Sequence, residues 1–234
     1  MISAEGWDKY SIWEHSSTVK KLYSERCSKE TEEMTCAAQA ADLFAISFSD
    51  NDTLLDVGCG SGYFFHSLIS RHISMEYWGL DASKTLIEIG KSILPNFGLP
   101  KERLIHGRIE DMDAKVDHIL CMNVLSNIDN YHRPLERLLL STNKTLIIRE
   151  SVADIANYSY VEDKYLDIGF NLKVHVNTYP QREFVEFIQS YGFEVEEIVD
   201  LRTQGKPELI IDYPHHWKFF RATKIKENKT TNNL

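Results

Sequence analysis

LLDVGCGSG, residues Leu54 to Gly62, is the stretch that decides the fold. A short apolar run ends in Asp56, glycines stand at every second position (Gly58, Gly60, Gly62), and Tyr63-Phe64-Phe65 opens a helix behind them. Strand, glycine turn and helix in that order bring bare backbone up to a ligand at the carboxyl edge of an α/β sheet. Glycines at such a corner also serve as nothing more than a tight connection, so the reading needs a second signal.

That signal is MEYWGLD, Met75 to Asp81. It reads as a second apolar strand ending in an acid, about 20 residues past the glycines, where a nucleotide fold sets a carboxylate against ribose hydroxyls. A carboxylate accepts two hydrogen bonds from a vicinal diol, which no neutral side chain does as well.

DVGCGSG followed by GLDAS resembles the motifs of the class I S-adenosylmethionine-dependent methyltransferases, small-molecule type. The likeness covers residues 51–150 well and the flanks more loosely. Dinucleotide-binding dehydrogenases are the alternative for the fold, but their pattern spaces the last glycine one residue further on. The resemblance implies an α/β, Rossmann-like, doubly wound fold. Its mostly parallel seven-stranded sheet would carry helices on both faces and end in an antiparallel last strand. It also implies S-adenosylmethionine as cofactor, released as S-adenosylhomocysteine. Asp56 and the loop of Gly58, Cys59, Gly60 and Gly62 would hold the methionine end and Asp81 the ribose, with Ala82 in the same binding set. Ile109 and Glu110 would meet the adenine, and Cys121 and Met122 would border the cofactor. Two places depart from the family. Arg108 stands where many relatives carry an adenine-binding acid, leaving Ile109 a backbone N–H and Glu110 or Asp111 an acceptor, unless these acids only cap a helix. Asn127, in VLSNI, stands where some relatives place a histidine base, and an amide takes no proton at neutral pH.

The chain has 234 residues, 43% hydrophobic and 26% charged, enough for a sizeable core in one large or two small domains. We expect one methyltransferase domain over 1–225, with a helical cap (1–49), an acceptor-side insertion (152–178) and a flexible tail (226–234). A net charge of −9 without a basic run speaks against a nucleic-acid partner. Cys27, Cys36, Cys59 and Cys121 show neither metal-ligand nor disulfide spacing, so no metal site is expected. No apolar stretch reaches membrane-spanning length and the amino terminus lacks a signal-peptide pattern, so no membrane partner and a cytoplasmic location are expected.

Met34, Ala37, Ala38, Ala41, Phe44 and Ala45 recur at helical spacing. Ahead of them Trp7, Tyr10, Ile12 and Trp13 form an aromatic cluster. It is either a packed flap over the sheet edge or, as the resemblance suggests, a cover in which Tyr10 or Trp13 closes over the cofactor. From Tyr63 on, helices alternate with strands, which implies a parallel sheet. A strand over 117–125 brings Cys121, Met122 and Asn123 to the ligand edge, and a helix over 133–140 leads to a strand over 145–151. The pattern breaks from Val152 to Thr178, where Tyr158, Tyr160 and Tyr165 argue against disorder. An amphipathic helix through Phe184, Phe187, Ile188 and Tyr191, closed by Gly192, precedes two last strands at 193–200 and 217–223.

A sulfonium donor is already electrophilic, so the protein must align a nucleophile and manage one proton. His175 is the candidate catalytic base, ahead of His215 and His216, because histidine titrates near neutrality. Tyr10, Asn123, Tyr160 and Arg202 are the candidate acceptor contacts. Arg149, Arg202 and Lys206 offer charge for a phosphate or carboxylate. The run GKPELIIDYPHHWKF is similar to endings of methyltransferases acting on sugars in surface-polysaccharide and natural-product pathways. The expected reaction is therefore O-methylation, less readily N-methylation, of a small polar acceptor such as a sugar or nucleotide sugar. A protein or tRNA methyltransferase and a catalytically silent cofactor-binding subunit are the competing classes.

Overall fold

The computed structural model describes residues 9–46 and 48–226; Trp7 of the aromatic cluster and most of the polar tail lie outside them. Five parallel strands form the centre of the sheet: β1 (Thr53–Val57), β2 (Glu76–Asp81), β3 (Leu104–His106), β4 (Val116–Met122) and β5 (Thr142–Ala153). The order across the sheet is β3-β2-β1-β4-β5, so the chain reverses direction of winding at β1, between β2 and β4. A crevice at the carboxyl ends of the strands follows from that reversal.

Two later strands complete the sheet: β9 (Phe193–Val199) and β12 (Trp217–Lys224). β12 inserts between β5 and β9 and runs antiparallel to both. An eighth, two-residue strand, β8 (Tyr179–Pro180), pairs parallel with the end of β5. Two small two-stranded pieces stand apart, β6 (Tyr160–Glu162) with β7 (Lys173–His175) and β10 (Glu208–Ile210) with β11 (Tyr213–His215).

The central strands are buried on both faces, which explains their near-continuous apolar runs. Successive residues feed opposite layers: Leu55, Ile119, Leu146 and Ile148 pack with α6 (His132–Ser141) and α7 (Gln181–Ser190). Leu54, Leu120 and Ile147 pack on the other face with α3 (Thr35–Ala45), α4 (Phe65–Ser70) and α5 (Lys84–Ile93). The alanines of α3 (Ala37, Ala40, Ala41) let it lie close to the sheet, with Phe44 filling the space at its end. α5 starts at Ser83, whose hydroxyl accepts the Leu86 N–H at 3.2 Å, a cap that fixes where the chain turns away from β2. At the opposite, amino edge, Asp52 ties His118 of β4 (2.9 Å) and Lys144 of β5 to the start of β1. Before the sheet come the short α1 (Ile12–His15) and α2 (Ser17–Cys27), laid against α5.

Candidate active site

β1 delivers the glycine loop to the carboxyl edge, and all three of its glycines adopt positive φ (73°, 59° and 77° at Gly58, Gly60 and Gly62). A side chain here would be strained and would also collide. A Cβ at Gly58 would stand 2.2 Å from a methyl of Val124, and one at Gly60 would stand 2.1 Å from the ring of Tyr23. The loop is thus bare main chain beneath an aliphatic and an aromatic side chain.

Asp81, ending β2, locks the same loop. One carboxylate oxygen accepts the Gly60 N–H and the other the Ser83 N–H, both at 2.7 Å. Burial pushes its pKa up to about 6, against the pull of the two amides. Asp56 lies deeper and accepts the Tyr77 hydroxyl at 2.8 Å. Burial drives it up to about 7; the Tyr77 hydrogen bond opposes the rise and the nearby Asp81 charge adds to it. Asp56 is 4% exposed and supports the loop from beneath.

Ala82 follows Asp81, and its carbonyl meets the His106 ring at 3.1 Å. Ile109 and Glu110 occupy a single 3-10 turn after β3, with Ile109 buried and Glu110 3.4 Å from Arg108. The family's acid position is therefore a surface ion pair between Arg108 and Glu110. Cys59 and Cys121 offer only main chain to the cleft, since their thiols are packed in the core. Met122 ends β4 and is half-buried. Asn123 follows in the left-handed region (φ 57°), the turn that lays Val124 onto Gly58.

The amino-terminal segment roofs this edge. Glu14 of α1 accepts from the Ser83 hydroxyl (2.7 Å), the Thr85 hydroxyl (2.5 Å) and the Thr85 N–H (3.3 Å) at the start of α5. Burial works against the Glu14 charge, but the hydrogen bonds from Thr85 and Ser83 outweigh it and lower the pKa. Tyr23 of α2 then lies in an edge-to-face chain between Trp13 and Tyr63, at 6.3 and 5.8 Å, with the Arg26 guanidinium 5.3 Å from the Tyr23 and Tyr63 ring centres.

Residues 152–178, the expected insertion, bond to the turn after β4. Asn177 makes this contact, its N–H on the Ser126 carbonyl (3.0 Å) and its side chain on that of Ile128 (2.7 Å). His175 is half-buried in β7 and stacks on Tyr160 of β6 at 4.4 Å. Burial lowers its pKa against the raising effect of Asp129, so the imidazole is neutral at neutral pH. Tyr10 joins this pair through Lys173, whose ammonium stands 5.8 Å from the Tyr10 ring and 5.6 Å from the Tyr160 ring.

Other expected contacts lie elsewhere. Arg149 does not offer its charge to a ligand: it is 2% exposed, paired with Asp200 at 2.9 and 3.0 Å, bonded to Asn123 Oδ1 and stacked 4.5 Å over Trp217. Arg202 pairs with Glu208 rather than joining the Tyr10, Tyr160 and His175 group. His215 is buried against Trp217 at 4.9 Å. Glu14, Tyr23, Val124 and Lys173 were missed by sequence reasoning. The aromatic cluster around Trp13 was the one available signal for the roof; helical spacing makes Tyr23 read as ordinary packing.

The profile of the methyltransferase domain family matches residues 29–198, well over half of the chain. The chain belongs to that family, the class I S-adenosylmethionine-dependent methyltransferases. Among solved structures it resembles magnesium protoporphyrin IX methyltransferase from Synechocystis PCC 6803 with bound S-adenosylhomocysteine, at 11% identity, 95% coverage of each chain and a TM-score of 0.56. A methyltransferase from Clostridium acetobutylicum matches at 14% identity over 88% of this chain and 97% of its own, with a TM-score of 0.60. An O-methyltransferase family protein from Burkholderia thailandensis matches at 10% identity over 93% of this chain and 64% of its own, with a TM-score of 0.59. An uncharacterized protein from Rickettsia prowazekii is 36% identical over 76 residues, and the match spans only 30% of that relative's length. The cofactor of the methyltransferase family is S-adenosylmethionine. The residues fit it: three positive-φ glycines keep the loop bare main chain at the carboxyl edge, and a carboxylate at the end of β2 stands beside them. No helix among the described residues is long and apolar enough to cross a membrane.

Proposed function

We propose that the protein moves a methyl group to an oxygen of a small polar acceptor, such as a sugar or nucleotide sugar, in surface-polysaccharide or natural-product biosynthesis. The observation that carries this reading is the half-buried His175, stacked on Tyr160 and two residues ahead of Asn177, which is bonded to the turn after β4. A hydroxyl nucleophile must lose its proton as it attacks, and a neutral imidazole accepts it at physiological pH. S-adenosylmethionine supplies the electrophilic methyl carbon when bound. Asp56, Gly58, Cys59, Gly60 and Gly62 hold its methionine end through the loop, Asp81 and Ala82 the ribose side, Ile109 and Glu110 the adenine, with Cys121 and Met122 alongside. Tyr10, Asn123 and Tyr160 serve the acceptor side; the Glu208 pairing of Arg202 argues against a first contact there. The roof formed by residues 9–27 and the insertion favours a small acceptor over a macromolecule, and the charge of −9 disfavours tRNA.

The test is transfer of labelled methyl to a panel of sugar phosphates, nucleotide sugars and amines, repeated with His175→Asn. We expect kcat to fall by about 100-fold or more, the scale of general-base catalysis, with S-adenosylhomocysteine affinity within twofold of the wild type. Undiminished kcat in the variant would remove His175 from the reaction, and transfer only to amines would displace the O-methylation reading.

A further inference from the structure

Lys173 is a charge whose placement the cofactor does not explain. Its ammonium lies between two tyrosine rings, 5.8 Å from Tyr10 and 5.6 Å from Tyr160, and among the described residues no carboxylate forms an ion pair with it. Glu162, its register partner across the β6–β7 pair, makes no salt bridge to it. Asp167, the acid of the neighbouring loop, is engaged by the Ser16 and Ser17 hydroxyls. The Lys9 ammonium also stands 5.2 Å from the Tyr10 ring centre. A shallow cavity of about 420 Å³ opens beside Lys9 and Tyr10, lined also by His15, Phe170, Asn171 and Leu172, the last of these the residue before Lys173. In a chain carrying 35 acidic against 26 basic residues, two ammonium groups beside Tyr10 that form no ion pair with an acid among the described residues are a local reversal of sign.

Held by cation–π contact rather than by a carboxylate, an ammonium stays exposed on its outer side and keeps donors for an incoming anion. The flanking rings add flat apolar faces that suit a base or the C–H face of a sugar. Ser11 pairs with Lys173 through a backbone bridge, so the roof and the insertion fix this lysine together. We infer that Lys173, seated between Tyr10 and Tyr160, binds a phosphate or carboxylate group of the acceptor, with Lys9 as a second cation and the aromatic rings against the body of the molecule. The inference deepens the proposed function, since it takes the insertion face as the acceptor side. It makes the acceptor an anion, and it places that anion one residue from Val174 and two from the imidazole of His175.

Calorimetry on the whole protein, with and without S-adenosylhomocysteine, tests it using UDP, glucose 6-phosphate, glucuronate and neutral methyl glucoside as probes. At least one anionic probe should bind, at least tenfold more tightly than methyl glucoside. Lys173→Met should weaken it tenfold or more, Lys173→Arg should keep most of the affinity, and S-adenosylhomocysteine affinity and melting temperature should not change. Preference for UDP and glucose 6-phosphate assigns the site to phosphate; preference for glucuronate assigns it to carboxylate. Equal binding of methyl glucoside, binding undiminished in Lys173→Met, or no binding of any anionic probe overturns the inference. Lys173-dependent UDP binding in a protein that does not bind S-adenosylhomocysteine would sink the proposed function and leave the anion site standing.

Discussion

Asp81→Asn separates the two jobs of one carboxylate. In the wild type each oxygen takes a main-chain N–H at 2.7 Å, from Gly60 on one side and Ser83 on the other. Asparagine has the same outline but one acceptor, so its NH2 must face one of those N–H groups or turn away from it. Hydrogen bonds to a charged acceptor are worth about 1.5–3 kcal/mol each. Losing one of the two should lower the melting temperature by roughly 3–12 °C, taking about 2–4 °C per kcal/mol for a chain of this size. The same substitution removes the charge offered to the ribose diol, a further loss of about 1.5–3 kcal/mol from binding. S-adenosylhomocysteine affinity should therefore drop by on the order of 10- to 100-fold. Differential scanning fluorimetry and calorimetry on the same preparation read the two effects. An affinity within threefold of the wild type, in a folded variant, would refute the assignment of Asp81 to the donor.

Asp56, with a folded pKa near 7 against 3.8 in the unfolded chain, binds a proton between about pH 4 and 7 that the unfolded chain releases. Its contribution to stability is complete below pH 4 and is lost as pH rises through 7. Relative to Asp56→Asn, the wild type should lose about 2–3 kcal/mol between pH 5 and pH 8 in urea unfolding; parallel stability curves for the two proteins would contradict the burial argument. Arg149→Met strands the buried Asp200 carboxylate and should cost about 3–5 kcal/mol, with Arg149→Met/Asp200→Leu recovering a good part of it. A single-variant loss under 1 kcal/mol would mean that Asp200 finds solvent or another partner.

The centre of the fold was legible because its signals are local. Gly58, Gly60 and Gly62 sit in a backbone conformation that their own neighbours dictate, and Asp81 reaches the loop because β1 and β2 are adjacent in the sheet. The last strands were legible from their apolar content, and β12 takes its antiparallel place between β5 and β9. Short pieces such as β8 and the β10–β11 hairpin carry too few residues to show a period. Arg149 shows what pattern alone misjudges. A cation near the carboxyl end of a strand reads as a ligand clamp, yet its register beside β12 buries it. Its partner Asp200 then comes from 51 residues away. Long-range pairing of this kind has no signature in the sequence around either residue. The roof escaped for the same reason: Glu14 meets Ser83 and Thr85 across 69 and 71 residues.

The roof also ties the two halves of the site into one mechanical unit. Between Ser11 and Thr18 the chain bridges to Lys173, hands Glu14 to the start of α5, and places Ser16, Ser17 and Thr18 on residues 166–167 of the insertion. Tyr23, on the helix that continues from it, lies directly on Gly60. Tyr23 covers Gly60 from the same helix whose first residues contact Asp167 and Leu166. The segment is held by polar contacts at its surface and by a buried apolar cluster in which Ile12 packs with Leu172, Val174 and Val176. One stretch of fewer than 20 residues, from Ser11 to Tyr23, thus touches the glycine loop, the start of α5 and residues 166–173 together.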